Sequence, residues 1–222
     1  MTTQNWDQPL ISVDVVPIRL NKANKSIEIF LGRRQYEPSK GEFALPGVLL
    51  SPHERVAEAA QRALNSKVSA SESVVRLITD VGIADNPDRD PRGATLSIVN
   101  LAILGDEYAP QDEDITSIIV SDLADTKLPF DHNGLVAKAL SQLDALLMND
   151  KDASKALLGD TFRTTDLYSA FVELNKVTKS TSSVPDLSNL SRTLKNSPWL
   201  VAQVGLTSST GKGRPSSQWA WN

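Results

Sequence analysis

Residues 46–70, PGVLLSPHERVAEAAQRALNSKVSA, constrain the fold of this chain more than any other stretch. Pro46 and Gly47 make a corner, and from Glu54 to Lys67 small and apolar residues return at helical spacing, with Ala57, Ala60, Ala63 and Leu64 on one face. An amphipathic helix of this kind is expected to pack on a sheet. The strands are legible on both sides of it. ISVDVVPIRL at 11–20 and SIEIFL at 26–31 alternate in the two-residue period of strands, joined by a polar turn over 21–25. Residues 73–82, 94–104 and 115–120 read as further strands, and 94–104 is so apolar that it is expected at the centre of the sheet. Over 133–148, Leu135, Val136, Ala139, Leu140, Leu143 and Leu147 recur at helical spacing, predicting a helix that connects two domains.

After Asp150 the pattern changes class, which places one domain over 1–150 and a second over 151–222. FRTTDLYSAFVELN offers Thr164 or Thr165 as a helix N-cap, with Leu167, Phe171, Val172 and Leu174 on the buried face. A Ser/Thr-rich turn leads to a second helix, LSNLSRTLKNS, capped by Asp186 or Ser188 and burying Leu187, Leu190 and Leu194. The strand-like segments WLVAQVG and SQWAW then flank the loop LTSSTGKGRPS. Helix, turn, helix and a hairpin with a basic, glycine-rich tip is the order of a winged helix, whose second helix enters the major groove of DNA. Thr164, Thr165, Ser188, Asn189, Ser191, Arg192 and Lys195 are the candidate DNA contacts on the helices, and Lys212 and Arg214 those at the hairpin tip. An Asn can bond an adenine edge bidentately, an Arg can do so to guanine, and cations between glycines can neutralise phosphates.

Charge supports this division. Residues 1–150 hold 14 Lys and Arg against 22 Asp and Glu, a net −8, whereas 151–222 hold 9 against 5, a net +4. An acidic body with a basic appendage suits a nucleic-acid-binding tail. The chain has no Cys, so neither a disulfide framework nor a thiolate metal site can form. His53 and His132 are too few for a His-based metal centre and receive no role. The start, MTTQNWDQPLI, is neither basic nor apolar, and no stretch approaches a membrane span, so a cytoplasmic location without membrane attachment is expected.

With Glu54 as the first Glu, residues 48–70 align without gaps to the Nudix box, G-x5-E-x7-R-E-U-x-E-E-x-G-U, where U is aliphatic. Arg62 and Leu64 match it, but Ala63, Ser66 and Lys67 stand where the box carries metal-binding Glu, and Val48 and Ser69 where it carries Gly. Hard divalent cations need several such carboxylates. The flanking runs LGRRQYEPSKGEFALPG and NPDRDPRGATLSIVNLAIL, the approach LPFDHNGLVAKAL, and the tail segments SNLSRT and GRPSSQW resemble one branch in particular, the bacterial Nudix-related transcriptional regulators. Basic residues of that family's second helix read here as Ser188, Ser191 and Thr193.

This resemblance implies an α+β protein, with an N-terminal Nudix α/β/α sandwich followed by a C-terminal winged helix-turn-helix domain. It implies a homodimeric repressor that binds double-stranded operator DNA, has no catalytic residues, requires no cofactor and senses ADP-ribose, NAD or a related nucleotide. Genes of NAD synthesis and salvage, or of pentose use, are the expected targets. The ligand cleft is expected to use Arg33, Arg34, Lys40 and Arg92, with Glu54 and with Lys67 in place of the lost ion. The competing readings are a residual hydrolase using Glu54, Glu58 and one of Asp85, Asp88 or Asp90, with the tail as an oligomerisation module, and a nucleotide-binding adaptor.

Overall fold

A computed structural model of the chain describes residues 8–178, 184–203 and 217–222. The hairpin read from the sequence is present: β1 (Leu10–Asn21) and β2 (Ser26–Arg33) pair antiparallel, with Asn21 Oδ1 accepting from the Asn24 amide to close the turn. Two short strands follow, β3 (Phe43–Ala44) and β4 (Gly47–Leu49), on either side of the Pro46 corner. They are followed by helix α1 (Val56–Val68), β5 (Val75–Ala84), β6 (Thr95–Leu104), β7 (Ile115–Ile119) and helix α2 (His132–Leu146).

The sheet runs β3-β2-β1-β6-β5, with β4 added to β1 and β7 to β2. As its composition predicts, β6 is interior, paired in parallel with β1 and antiparallel with β5. Alternation along the strands sorts side chains between two faces. Val13, Val15, Phe30, Ala102 and Leu104 pack under α1, against Ala59, Ala60, Ala63, Leu64 and Val68. Val16, Ile18, Leu20, Ile27, Ile29, Leu31, Leu101 and Ile103 face the other way, towards Leu135, Val136, Ala139, Leu140 and Leu143 of α2. The sheet lies between two helical layers, in the α/β/α order that the resemblance implies.

Three details depart from the periodicity. Helix α1 begins two residues after Glu54, and Ala57 is exposed while Ala59 is buried, because the buried stripe follows 59, 60, 63 and 64. The strand expected from 73 starts at Val75, after a single 3₁₀ turn over Glu72–Val74. Leu147 is buried, but as the extended residue that ends α2.

Beyond Asp150 the order is α3 (Lys151–Leu158), β8 (Thr161–Arg163), α4 (Thr164–Thr178), α5 (Leu187–Asn196), β9 (Leu200–Gln203) and β10 (Gln218–Trp221). Three strands form a second sheet in the order β8-β10-β9, so the fold is a winged helix. Neither α3 nor β8 stands out in the sequence: eight and three residues are too short to show a period, and burial in the assembled core holds them in place. Asp150 caps α3 by accepting from the Ala153 amide, and Trp221 Nε1 donates to Gly159 O beyond its end. One apolar cluster joins the main sheet and α2 to Leu157, Phe162, Leu167, Leu174, Leu190, Leu194 and Trp219. Among the described residues no helix is long and apolar enough to cross a membrane.

Candidate functional site

An open cleft of about 720 Å³ lies at the end of the sheet where β1, β2, the β3–β4 corner, the last turn of α1, the 89–95 segment and the entry to α2 converge. Gly32 allows one of these close approaches, since a Cβ there would lie 2.3 Å from the carbonyl oxygen of Lys67. That contact brings the last turn of α1 against the end of β2. Arg33, Arg34, Lys67 and Arg92, four of the six cleft residues expected from sequence, line this space. Lys40 and Glu54 do not. Lys40 is exposed on the preceding loop, and the Glu54 carboxylate is occupied elsewhere.

The cations differ in how far they are neutralised. Arg33 pairs with Asp114 at 3.0 Å, donates to Gly41 O and stacks over Phe43. Arg92 bonds both carboxylate oxygens of Asp90, whose Oδ1 also accepts the Arg92 amide. Arg34 donates through Nε to Pro38 O, lies over the Phe130 ring at 4.7 Å and, among the described residues, forms no salt bridge. Burial, followed by the positive charge of Arg92, lowers the pKa of the Arg34 guanidinium. Among the described residues the Lys67 ammonium has no hydrogen-bond or ion-pair partner, so it and Arg34 are the two cleft cations without a salt bridge.

The most buried cation of the cleft is Arg89, for which no role was expected although its neighbour Arg92 was singled out. Its guanidinium, 5% exposed, bonds Asp131 through Nε at 3.0 Å and Nη2 at 2.8 Å, and Asp14 through Nη2 at 3.2 Å. Burial alone would lower its pKa, but its hydrogen bonds to Asp131 and the charges of Asp14 and Asp131 outweigh it and raise the value. Asp14 Oδ2 also accepts from Ser97 Oγ at 2.6 Å. His132, the first residue of α2, lines the cleft as well, although no role was expected for it. Its Nδ1 accepts the Leu45 amide at 3.1 Å and burial depresses its pKa, so the ring is neutral and carries its proton on Nε2. The only sequence cue for these residues was their place inside the DRDPR and FDH runs.

The donor set does not suit the divalent ion that the Nudix frame implies. Arg62 binds both oxygens of Glu54 at 2.7 and 2.8 Å, and Glu54 Oε2 also accepts the Ser51 amide. The Arg62 hydrogen bonds, aided by that amide, hold the Glu54 pKa down at about 2. Glu58 accepts the Arg55 amide at the start of α1. Among the described residues no three acidic or His side chains converge to hold a metal.

On the winged helix, Asp186 caps α5 by accepting the Asn189 amide at 2.8 Å. Ser188, Asn189, Arg192 and Lys195 are exposed and Ser191 is half-buried, so one surface of the helix carries all five. Asn189 Nδ2 is engaged with Asp186 Oδ2 at 2.7 Å. Leu187, expected in the core, is 44% exposed, because it precedes the first full turn and only Leu190 and Leu194 reach the interior. Thr164 does not belong to the exposed set: it is buried, and its Oγ1 accepts from Trp219 Nε1 at 2.9 Å. It anchors β10 to α4. Thr165 is half-buried beside it. Lys212 and Arg214 lie outside the described residues.

No protein-family model matches the chain. Over 130 residues, 58% of this chain and 71% of the relative, it is 36% identical to an ADP-ribose pyrophosphatase of Methanocaldococcus jannaschii. Its fold is similar to that of Shewanella oneidensis NrtR crystallised with a 27mer DNA, with a TM-score of 0.74 and 21% identity over 96% of this chain and 93% of that one. The NUDIX domain of the same protein, complexed with ADP ribose, matches 64% of this chain and 94% of its own length, with a TM-score of 0.56 and 21% identity.

Proposed function

This chain belongs to the Nudix family, and we propose that within it the protein is a nucleotide-responsive transcriptional repressor rather than a hydrolase. The observation that carries this reading is the pairing of a cation-lined cleft lacking metal carboxylates with an α5 that presents Asn189, Arg192 and Lys195 to solvent. The cleft binds ADP-ribose, NAD or a related nucleotide through Arg34, Lys67, Arg33 and Arg92. The winged helix binds double-stranded operator DNA through α5 and through Lys212 and Arg214, and the protein acts in the cytoplasm as a homodimer on genes of NAD synthesis or salvage. Supporting it are the NrtR structures with DNA and with ADP ribose.

A ligand shifts DNA affinity only by binding two conformations unequally. The route available to it is short, because His132, which lines the cleft, is the first residue of α2, and α2 packs against α4. Capture of genomic DNA fragments by the purified protein, with and without ADP-ribose and NAD, tests the reading. Enrichment of a palindromic site beside NAD genes, altered by nucleotide, is the expected result. The relative's name keeps one alternative in view. Mg²⁺-dependent hydrolysis of ADP-ribose, abolished by Glu54→Gln, with no enriched DNA, would overturn the proposal in favour of a hydrolase.

A further inference from the structure

Five cations, Arg33, Arg34, Lys67, Arg89 and Arg92, line the cleft against two carboxylates, Asp14 and Asp90, an excess of three positive charges among the lining side chains. The excess is local. Arg89 and Arg92 are paired within the cleft and Arg33 with Asp114 outside it, which leaves Arg34 and Lys67 as the two without a salt bridge among the described residues. Gly32, which lies two residues before Arg34, packs on the Lys67 backbone, and both cations line the cleft. In the aligned Nudix box, position 67 carries a Glu that binds metal. The substitution therefore reverses the sign of the charge at the point where that ion would sit.

We propose that Lys67 replaces the divalent cation outright, so that the cleft binds the diphosphate ester in its metal-free form and Mg²⁺ opposes binding. The inference rests on the reading of the cleft as a nucleotide site. A diphosphate diester brings two negative charges, which the ammonium and the Arg34 guanidinium can meet by charge-assisted hydrogen bonds. The Mg²⁺ complex of the same ester is neutralised beforehand, so entering the cleft would leave Arg34 and Lys67 desolvated without an anion. Repulsion between Arg34 and Arg92, which contributes to the depressed Arg34 pKa, is relieved by the same anion. A plainer role for Lys67 also exists, since a cation in the last turn of α1 interacts favourably with the helix dipole. That role would affect stability alone.

Isothermal titration of the full-length protein with ADP-ribose, in EDTA and in millimolar Mg²⁺, distinguishes these outcomes. Binding in EDTA that weakens in Mg²⁺ is expected. Lys67→Met weakens the EDTA affinity by about tenfold, the worth of one charge-assisted contact. Lys67→Arg retains most of the affinity, and Lys67→Glu loses metal-free binding. Unfolding of each variant in urea shows whether the site remains intact. Binding that requires Mg²⁺, or that Lys67→Met leaves unchanged, overturns this inference and leaves the nucleotide reading in place. No binding in either buffer overturns both.

Discussion

Arg89 and Asp131 form a two-point ion pair, Nε and Nη2 to the two carboxylate oxygens at 3.0 and 2.8 Å, that fastens the cleft to the residue just before α2. The same guanidinium reaches Asp14 in β1, so one side chain joins the sheet, the 89–95 segment and α2. Removing it leaves the buried carboxylate of Asp14 with hydroxyl donors but without its countercharge. Arg89→Ala is expected to cost about 3 to 5 kcal/mol, as when one partner of a buried pair is deleted. A urea midpoint within error of wild type would refute that role. Arg89→Lys is expected to recover only part of the loss, because an ammonium cannot reproduce the fork that bridges Asp131 and Asp14.

Glu54 and Arg62 hold the loop before α1 to the helix. The folded pKa of Glu54, about 2, lies below its ordinary value of 4.5, so the pair stabilises the fold fully above the higher value and the contribution fades as pH falls through the lower one. Melting temperatures of wild type and Glu54→Gln should therefore differ at neutral pH and converge as the pH approaches 2. A difference that stays constant from neutral pH down to that range would show that the carboxylate charge does not contribute.

Ser69 ends α1 with φ 54° and ψ 27°, the left-handed conformation in which L side chains are strained. The aligned Nudix box has Gly at this position. Ser69→Gly is expected to raise stability by about 1 kcal/mol, read as an increase in urea midpoint at unchanged slope.

Thr164 and Arg192 separate scaffold from contact on the winged helix. Thr164→Val leaves the buried indole NH of Trp219 without its acceptor, costing about 1 to 3 kcal/mol of stability while the salt dependence of duplex binding is unchanged. Arg192→Ala should do the reverse, weakening duplex binding and lowering its log–log salt slope by about one if the side chain meets a phosphate. Filter binding across a salt series checks both. Equal salt slopes for Arg192→Ala and wild type would remove Arg192 from the phosphate contacts.

Much of the architecture follows from residue order alone. Period-two alternation in 11–20 and 26–31 defined the hairpin, a largely apolar run placed β6 inside the sheet, and Leu190 and Leu194 marked the buried side of α5. Ala63, Ser66 and Lys67 occupy three of the box's carboxylate positions on α1, and side-chain type at a given helical register is a property of the sequence.

Tertiary structure decided what depends on distance through space. Arg89 and Asp131 are 42 residues apart and nothing local marks them as partners, whereas Arg92, beside Asp90, could be singled out from its immediate neighbours. Ala57 and Ala59 are equally apolar, and only the direction from which the sheet meets α1 determines which is covered. Thr164 read as a cap or a DNA contact until Trp219, 55 residues later, claimed its hydroxyl. Local periodicity determined the elements because it is set by backbone geometry. The cleft had to await the fold, since its charges are paired, buried or left unbalanced by residues that meet only once the chain has closed.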